Sequence, residues 1–85
     1  MEAVIGSVVI SKAGRDKDKF LAVVKTDETG IYVCDGKERP LENPKRKNPI
    51  HITVTHYSLS QSDMATNRSL RRALNSVQFP KSEVK

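Results

Sequence analysis

Residues 4–35, VIGSVVISKAGRDKDKFLAVVKTDETGIYVCD, decide the fold, because three runs rich in β-branched residues alternate there with two polar segments. Such runs are typical of strands, and they lie at residues 4–11, 20–26 and 31–35. The basic loop at 12–19 contains Gly14, which can take a positive φ, and a turn at 27–30 follows the second run. Short connections between successive strands predict antiparallel hairpins.

Two further segments extend this β pattern. Residues 50–57, IHITVTHY, alternate apolar and polar side chains and give the strongest period-two signal in the chain, which predicts a half-buried strand. Residues 37–41 predict a short fourth strand that Pro40 confines to a sheet edge. Residues 42–49, ENPKRKNP, are expected to be irregular, because two prolines bracket three cations. The earlier strands show no clean alternation of apolar and polar side chains. This pattern is expected when both faces of a sheet are partly covered, as in a small closed barrel.

The character of the chain changes after Tyr57. A serine-rich loop precedes a helix predicted over 67–77, with Thr66 or Asn67 as its cap. Leu70, Leu74 and Val77 form an apolar stripe that can pack on the barrel or meet a partner. Residues 78–85 are expected to be a frayed tail. The pattern predicts a mainly β fold of about five short strands with one late helix. Within this single domain, we expect the barrel over 1–59 and the linker, helix and tail over 60–85.

Composition excludes most enzyme classes. The 85 residues form one domain, and a single cysteine with two histidines cannot build the usual structural zinc sites. The four glycines match no phosphate-binding loop, and no nucleophile or metalloprotease motif occurs. We therefore expect no enzyme activity, no cofactor, no metal and no small-molecule substrate. The lack of a long apolar run, of a basic start and of paired cysteines favours a cytoplasmic protein without a membrane. We also expect a monomer.

Several residues that could carry chemistry have simpler interpretations. Asp16 and Asp18 lie among four cations and are interpreted as charge-balanced loop residues rather than an acid/base pair. Cys34 is interpreted as a small buried hydrophobe. His51 and His56 are five apart on a strand, so they face opposite sides and cannot share a metal. His51 is expected at the surface, where it can face a nucleic acid.

The net charge of +5 indicates a polyanionic partner, and its distribution makes this more specific. The cations concentrate in three clusters. They are the loop (Lys12, Arg15, Lys17 and Lys19), the proline-bracketed run (Lys45, Arg46 and Lys47), and the helix with its tail. The first two clusters suit a phosphate backbone, although a solvated surface or a transport signal at PKRK would show the same pattern. With only four aromatic residues, contacts to phosphate and shape are expected rather than base stacking.

Three motifs carry a resemblance to a known family. Residues 5–36, IGSVVISKAGRDKDKFLAVVKTDETGIYVCDG, resemble the KOW motif, in which a glycine-containing basic loop joins two strands. More narrowly, SKAGRDKDKF at 11–20, DGKERPLENPKRKNPIH at 35–51 and NRSLRRAL at 67–74 resemble bacterial KOW-domain RNA-binding proteins, which are related to large-subunit ribosomal proteins of archaea and eukaryotes. The resemblance covers about residues 4–75 and implies an SH3-like (KOW) barrel that binds RNA, chiefly through its first hairpin loop.

The resemblance also implies which residues contact RNA. In the loop they are Ser11, Lys12, Gly14, Arg15, Lys17 and Lys19, and beyond it Lys37, Arg39, Lys45, Arg46, Lys47, Asn48 and His51. The motif usually has glycine where this chain has Asp18, which is expected to pair with Lys17 or Lys19 and orient them. The expected function is therefore a ribosome-associated RNA-binding module whose partners are ribosomal RNA and its proteins. The alternative is a protein-interaction barrel that docks onto a ribosomal or transcription protein, since SH3-like barrels serve both roles.

Overall fold

The computed structural model describes residues 3–78, which form one antiparallel sheet and one helix. The strands are β1 (Ser7–Ser11), β2 (Phe20–Asp27), β3 (Gly30–Cys34), β4 (Lys45–Lys47) and β5 (Ile52–Ser58), and the helix is α1 (Asn67–Gln78). Their order across the sheet is β4-β3-β2-β1-β5, and a 3-10 turn at Pro49–His51 joins the two edge strands. This mainly β architecture with a short C-terminal helix confirms the predicted fold class and is consistent with a small SH3-like barrel. The tail predicted at 78–85 lies outside the described residues, apart from the last helical position.

The sheet is buried on both faces, which explains why its first strands show no alternation of apolar and polar residues. Val8 and Val9 are both fully buried, although successive strand residues point to opposite sides. One face carries a core of Val9, Leu21, Val23, Ile31, Val33 and Ile52. The other face packs against α1 through Val8, Ala22, Cys34, Leu70 and Leu74.

The helix therefore packs on the sheet. Leu70 is fully buried and Leu74 nearly so, and burying a leucine contributes about 1.5–3 kcal/mol. Thr66 caps the helix: its hydroxyl accepts from the Ser69 amide at 3.0 Å, while the Ser69 hydroxyl accepts from the Thr66 amide at 3.2 Å. This reciprocal pair satisfies two backbone donors that a helix start leaves open.

The predicted strand at 37–41 is wrong. The chain folds back on Asp35, whose carboxylate accepts from the amides of Lys37 at 2.8 Å and Arg39 at 2.9 Å. These bonds, with the bond from the Asp35 amide to the Arg39 carbonyl at 3.0 Å, make residues 35–39 a turn. Its amides are consequently not available to a neighbouring strand.

The fourth strand lies instead in the segment that was expected to be irregular. Lys45, Arg46 and Lys47 pair with β3 opposite Val33, Tyr32 and Ile31, respectively. The prolines at 44 and 49 flank these three residues without interrupting them. As an edge strand, β4 needs hydrogen bonds on one side only, so a three-residue pairing between two prolines is possible.

Candidate nucleic-acid interface

Backbone hydrogen bonds within the loop organise the connection between β1 and β2. Within it, the Asp18 amide donates to the Ser11 carbonyl at 2.8 Å and the Lys19 amide to the Asp16 carbonyl at 2.9 Å. Gly14 has φ +80°, as the sequence predicted for this glycine, and Asp18 has φ +68°. Aspartate is one of the few non-glycine residues that tolerate this left-handed region. Asp18 therefore has the conformation that a glycine would favour at this position.

The expected pairing of Asp18 with Lys17 or Lys19 is wrong. Among the residues that the structure describes, Asp18 forms no ion pair. Lys19 bonds to Glu38 instead, with 2.6 Å between its ammonium nitrogen and Oε1. This hydrogen bond raises the pKa of Lys19 and lowers that of Glu38. Both side chains are largely exposed, so the pair joins the loop to the 35–39 turn but adds little stability.

Asp16 ties the loop to the rest of the fold. Its side chain is almost fully buried, and Oδ2 lies 3.3 Å from the Arg39 Nη2 and 3.5 Å from the Lys47 Nζ. Lys47 also donates to the Ser11 hydroxyl at 3.3 Å, and Ser11 is fully buried. The interpretation of Asp16 as a charge-balanced residue fits this geometry, with partners that come from the 35–39 turn and β4.

These contacts divide the predicted RNA-binding residues in and around the loop into two groups. Arg39 and Lys47 face the buried carboxylate of Asp16, and Lys47 also bonds to Ser11, so that these three residues hold the loop in place. Lys12, Arg15 and Lys17 are exposed, and their cationic groups take part in no ion pair within residues 3–78. The structure therefore separates the residues that position the loop from the cations that a polyanion can reach.

The residues of the PKRK segment do not form one patch. Lys47 points to Asp16, whereas the Arg46 guanidinium donates to the Thr29 carbonyl at 2.8 Å and to the Thr29 hydroxyl at 3.2 Å. Lys45 is exposed at the start of β4. Arg46 thus belongs to the β2–β3 turn, which lies at the other end of β2 from the loop.

A carboxylate organises the turn that Arg46 contacts. Asp27 accepts hydrogen bonds from the amide and hydroxyl of Thr29, both at 2.8 Å, from the Gly30 amide at 3.0 Å and from the Tyr32 hydroxyl at 2.9 Å. These donors, those of Thr29 above all, lower the pKa of Asp27 to about 2. The bond to Asp27 raises the pKa of Tyr32. Tyr32 is therefore held by its own turn.

Asn48 and His51 lie at the connection between the edge strands. The Asn48 carboxamide oxygen accepts from the Ile50 amide at 3.0 Å and caps the 3-10 turn. His51 is exposed, and its carbonyl accepts from the Lys12 amide at 2.8 Å. The contact brings His51 beside the base of the loop.

The sequence reasoning left three helix residues out of the site. Arg68, Arg71 and Arg72 are exposed on α1 and lie beside Gly36 of the 35–39 turn. Their charge was visible in the sequence, but their proximity to the turn depends on how α1 packs. Gly36 permits that packing: it has φ +81°, and a Cβ there would collide with the Asn67 carbonyl oxygen.

Cys34 is a buried thiol on the helix-facing side of the sheet. Burial raises its pKa to about 11, so the thiolate is scarce at neutral pH. Its Sγ lies 3.4 Å from the Pro40 carbonyl oxygen. These observations confirm the interpretation of Cys34 as a small buried hydrophobe.

Within residues 3–78, no group of three or more histidine, cysteine, aspartate or glutamate side chains is arranged to hold a metal ion. Over the same range, no helix combines the length and the apolar character that crossing a bilayer requires. Comparison with protein-family models finds no match to this chain. No curated protein matches it either.

Proposed function

We propose that this protein is an RNA-binding module that associates with the ribosome and contacts RNA phosphates through its β1–β2 loop. The observation that carries the proposal is the separation of charge in that loop. Asp16 holds Arg39 and Lys47 inside, while Lys12, Arg15 and Lys17 stay exposed on a backbone fixed by its own hydrogen bonds. A preformed cationic loop binds a polyanion at a lower entropic cost than a flexible one. The association with the ribosome rests on the resemblance of the three motifs.

The mode of binding follows from the side chains available near the loop. Phosphate contacts need cations and backbone donors, whereas unpaired bases need exposed aromatic rings. Phe20 packs at the edge of the helix-facing core, and Tyr32 is bound to Asp27. Binding directed at the phosphates of structured RNA is consequently favoured over readout of single-stranded bases.

The test removes exposed loop cations without disturbing their support. Arg15→Ala combined with Lys17→Ala should weaken binding of a fluorescently labelled RNA hairpin about fortyfold at 0.1 M salt, since each phosphate contact supplies about 0.8 log units there. The thermal midpoint should stay nearly unchanged, because both side chains are exposed. The single Arg15→Ala can be compared with Lys25→Ala, which removes an exposed cation from β2 outside the loop.

Three outcomes would count against the proposal. If the double variant binds RNA as the wild type does, the loop is not the contact. If it unfolds, the loop is structural. If the wild type binds neither the RNA hairpin nor heparin but captures a ribosomal protein without salt dependence, the protein-interaction alternative is correct.

A further inference from the structure

We propose that the arginine face of α1 forms the second half of the RNA interface, so that a base-paired RNA segment lies across both the β1–β2 loop and the helix. This inference rests on the proposed function and extends it to a surface outside the loop. Its occupant is the phosphate backbone of duplex RNA. The geometry, the charge balance and the rigidity of this surface each support it.

A continuous surface connects the loop with the helix. Arg15, Lys19, Glu38 and Arg39 line a depression beside the loop. Lys19 also lines the next depression, which reaches Lys37 and Arg71. Arg71 in turn lines a third, with Gly36, Arg68 and Arg72. Because the first two depressions share Lys19 and Glu38 and the last two share Arg71, they form one extended surface from Arg15 to Arg72.

The charge of this surface is strongly unbalanced. Seven cations and two anions line the three depressions, an excess of five that equals the net charge of the whole chain. The remaining residues of the sequence are therefore balanced in formal charge. A polyanion gains most from this face, where the field of the cations adds up.

The helix presents its arginines in a fixed direction. Arg68, Arg71, Arg72 and Asn75 follow the spacing i, i+3, i+4 and i+7, so they share one side of α1. The buried stripe that starts at Leu70 holds another side against the sheet. The exposed arginines can therefore contact a ligand without any rearrangement of the fold.

Two side-chain links fix the 35–39 turn that lies between the loop and α1. Arg39 joins the turn to Asp16 of the loop, and Asn67 at the start of α1 bonds to the segment that follows the turn. The Asn67 side chain accepts from the Leu41 amide at 2.7 Å and donates to the Glu42 carboxylate at 2.8 Å. The latter bond lowers the pKa of Glu42. Side-chain hydrogen bonds thus connect the loop, the turn region and the helix in a defined arrangement, which recognition of duplex shape needs.

Base-paired RNA suits this surface better than a single strand. Among the described residues that line the three depressions, the one aromatic ring belongs to Phe20, which packs against the helix-facing core. Stacking of unpaired bases therefore finds no platform here, while cations on two separate elements can bind the two backbones of a duplex. Arg15 lines this surface, and Lys12 and Lys17 are exposed on the same loop; with the three helix arginines they make six cations available for phosphate contacts.

The experiment compares two sets of substitutions on the same RNA hairpin. Arg68→Gln, Arg71→Gln and Arg72→Gln together should weaken binding about 250-fold at 0.1 M salt, and should make the slope of log K against log salt shallower by about 2.4, at about 0.8 per lost phosphate contact. The combination of Arg15→Gln with Lys17→Gln tests the loop in parallel. The single variant Arg71→Gln is compared with Lys25→Gln, which also removes one positive charge but lies outside the proposed interface. Circular dichroism checks that each variant is folded.

The outcomes separate this inference from the proposed function. If the loop variant weakens binding and the folded helix variant does not, the helix is no part of the interface, whereas the proposed function stands. If neither variant weakens binding, the proposed function is also wrong. If single-stranded oligo(U) binds as tightly as the hairpin, the assignment to base-paired RNA is overturned.

Discussion

Replacing Asp16 by asparagine tests whether the buried ion cluster holds the loop in place. The substitution preserves the shape of the side chain but removes the charge that faces Arg39 and Lys47. Removing one partner of a buried ion pair costs about 3–5 kcal/mol, because the other charge stays buried without compensation. The Arg39 side chain is 24% exposed and can rehydrate, whereas that of Lys47 is only 11% exposed.

Because Arg39 can rehydrate, we expect a loss at or below the lower end of the range for buried ion pairs: Asp16→Asn should lower the free energy of unfolding by about 2–3 kcal/mol. For a domain of this size, the melting midpoint should fall by roughly 10–20 °C. Thermal and urea unfolding followed by far-UV circular dichroism would measure both quantities. Adding Lys47→Met should recover part of the loss, since no buried cation then lacks a partner.

Glu38→Gln supplies the matched control. This substitution breaks the ion pair between Glu38 and Lys19. The pair is shorter than either contact of Asp16, but both of its side chains are exposed. Because solvent screens exposed pairs, no measurable shift of the midpoint is expected. A midpoint for Asp16→Asn equal to that of the wild type, or an equal loss in Glu38→Gln, would refute the assignment of Asp16 as the buried anchor.

Three further substitutions test the turns and the β1–β2 loop. Gly36→Ala should lower the free energy of unfolding in urea by about 2–4 kcal/mol, because the new side chain meets both a positive φ and the helix. Gly14→Ala has a similar φ but open space around it, so it should cost only about 1–2 kcal/mol. Equal losses in the two variants would exclude the collision with the helix. Because the pKa of Asp27 is lower in the folded than in the unfolded protein, its carboxylate stabilises the fold at pH values above the unfolded pKa of about 3.9. This stabilisation disappears as pH falls towards about 2. The difference in melting midpoint between wild type and Asp27→Asn should thus be constant above about pH 5 and shrink below it, and a pH-independent difference would contradict this.

Local patterns in the sequence were sufficient for most of the fold. The alternation in residues 50–57 predicted the strand observed at Ile52–Ser58. The apolar stripe at Leu70 and Leu74, with the cap at Thr66, predicted the helix that begins at Asn67. In each case the physical signal, a period or a cap, lies within a few consecutive residues.

The features that the sequence missed depend on distant partners. The strand at Lys45–Lys47 forms because β3 offers an unpaired edge, which no property of the PKRK segment reveals. The burial of Asp16 depends on Arg39, 23 residues later, and on Lys47. The place of the helix arginines depends on Gly36, whose missing side chain lets α1 approach the turn. Long-range packing, rather than local propensity, decides such positions.

Salt dependence is the most direct test of phosphate-directed binding. The dissociation constant of the wild-type protein for an RNA hairpin should be measured across a series of salt concentrations, with fluorescence anisotropy as the signal. Six phosphate contacts predict a slope of log K against log salt of about −4 to −5. Affinity that stays flat from low to moderate salt would contradict an interface made of exposed lysines and arginines.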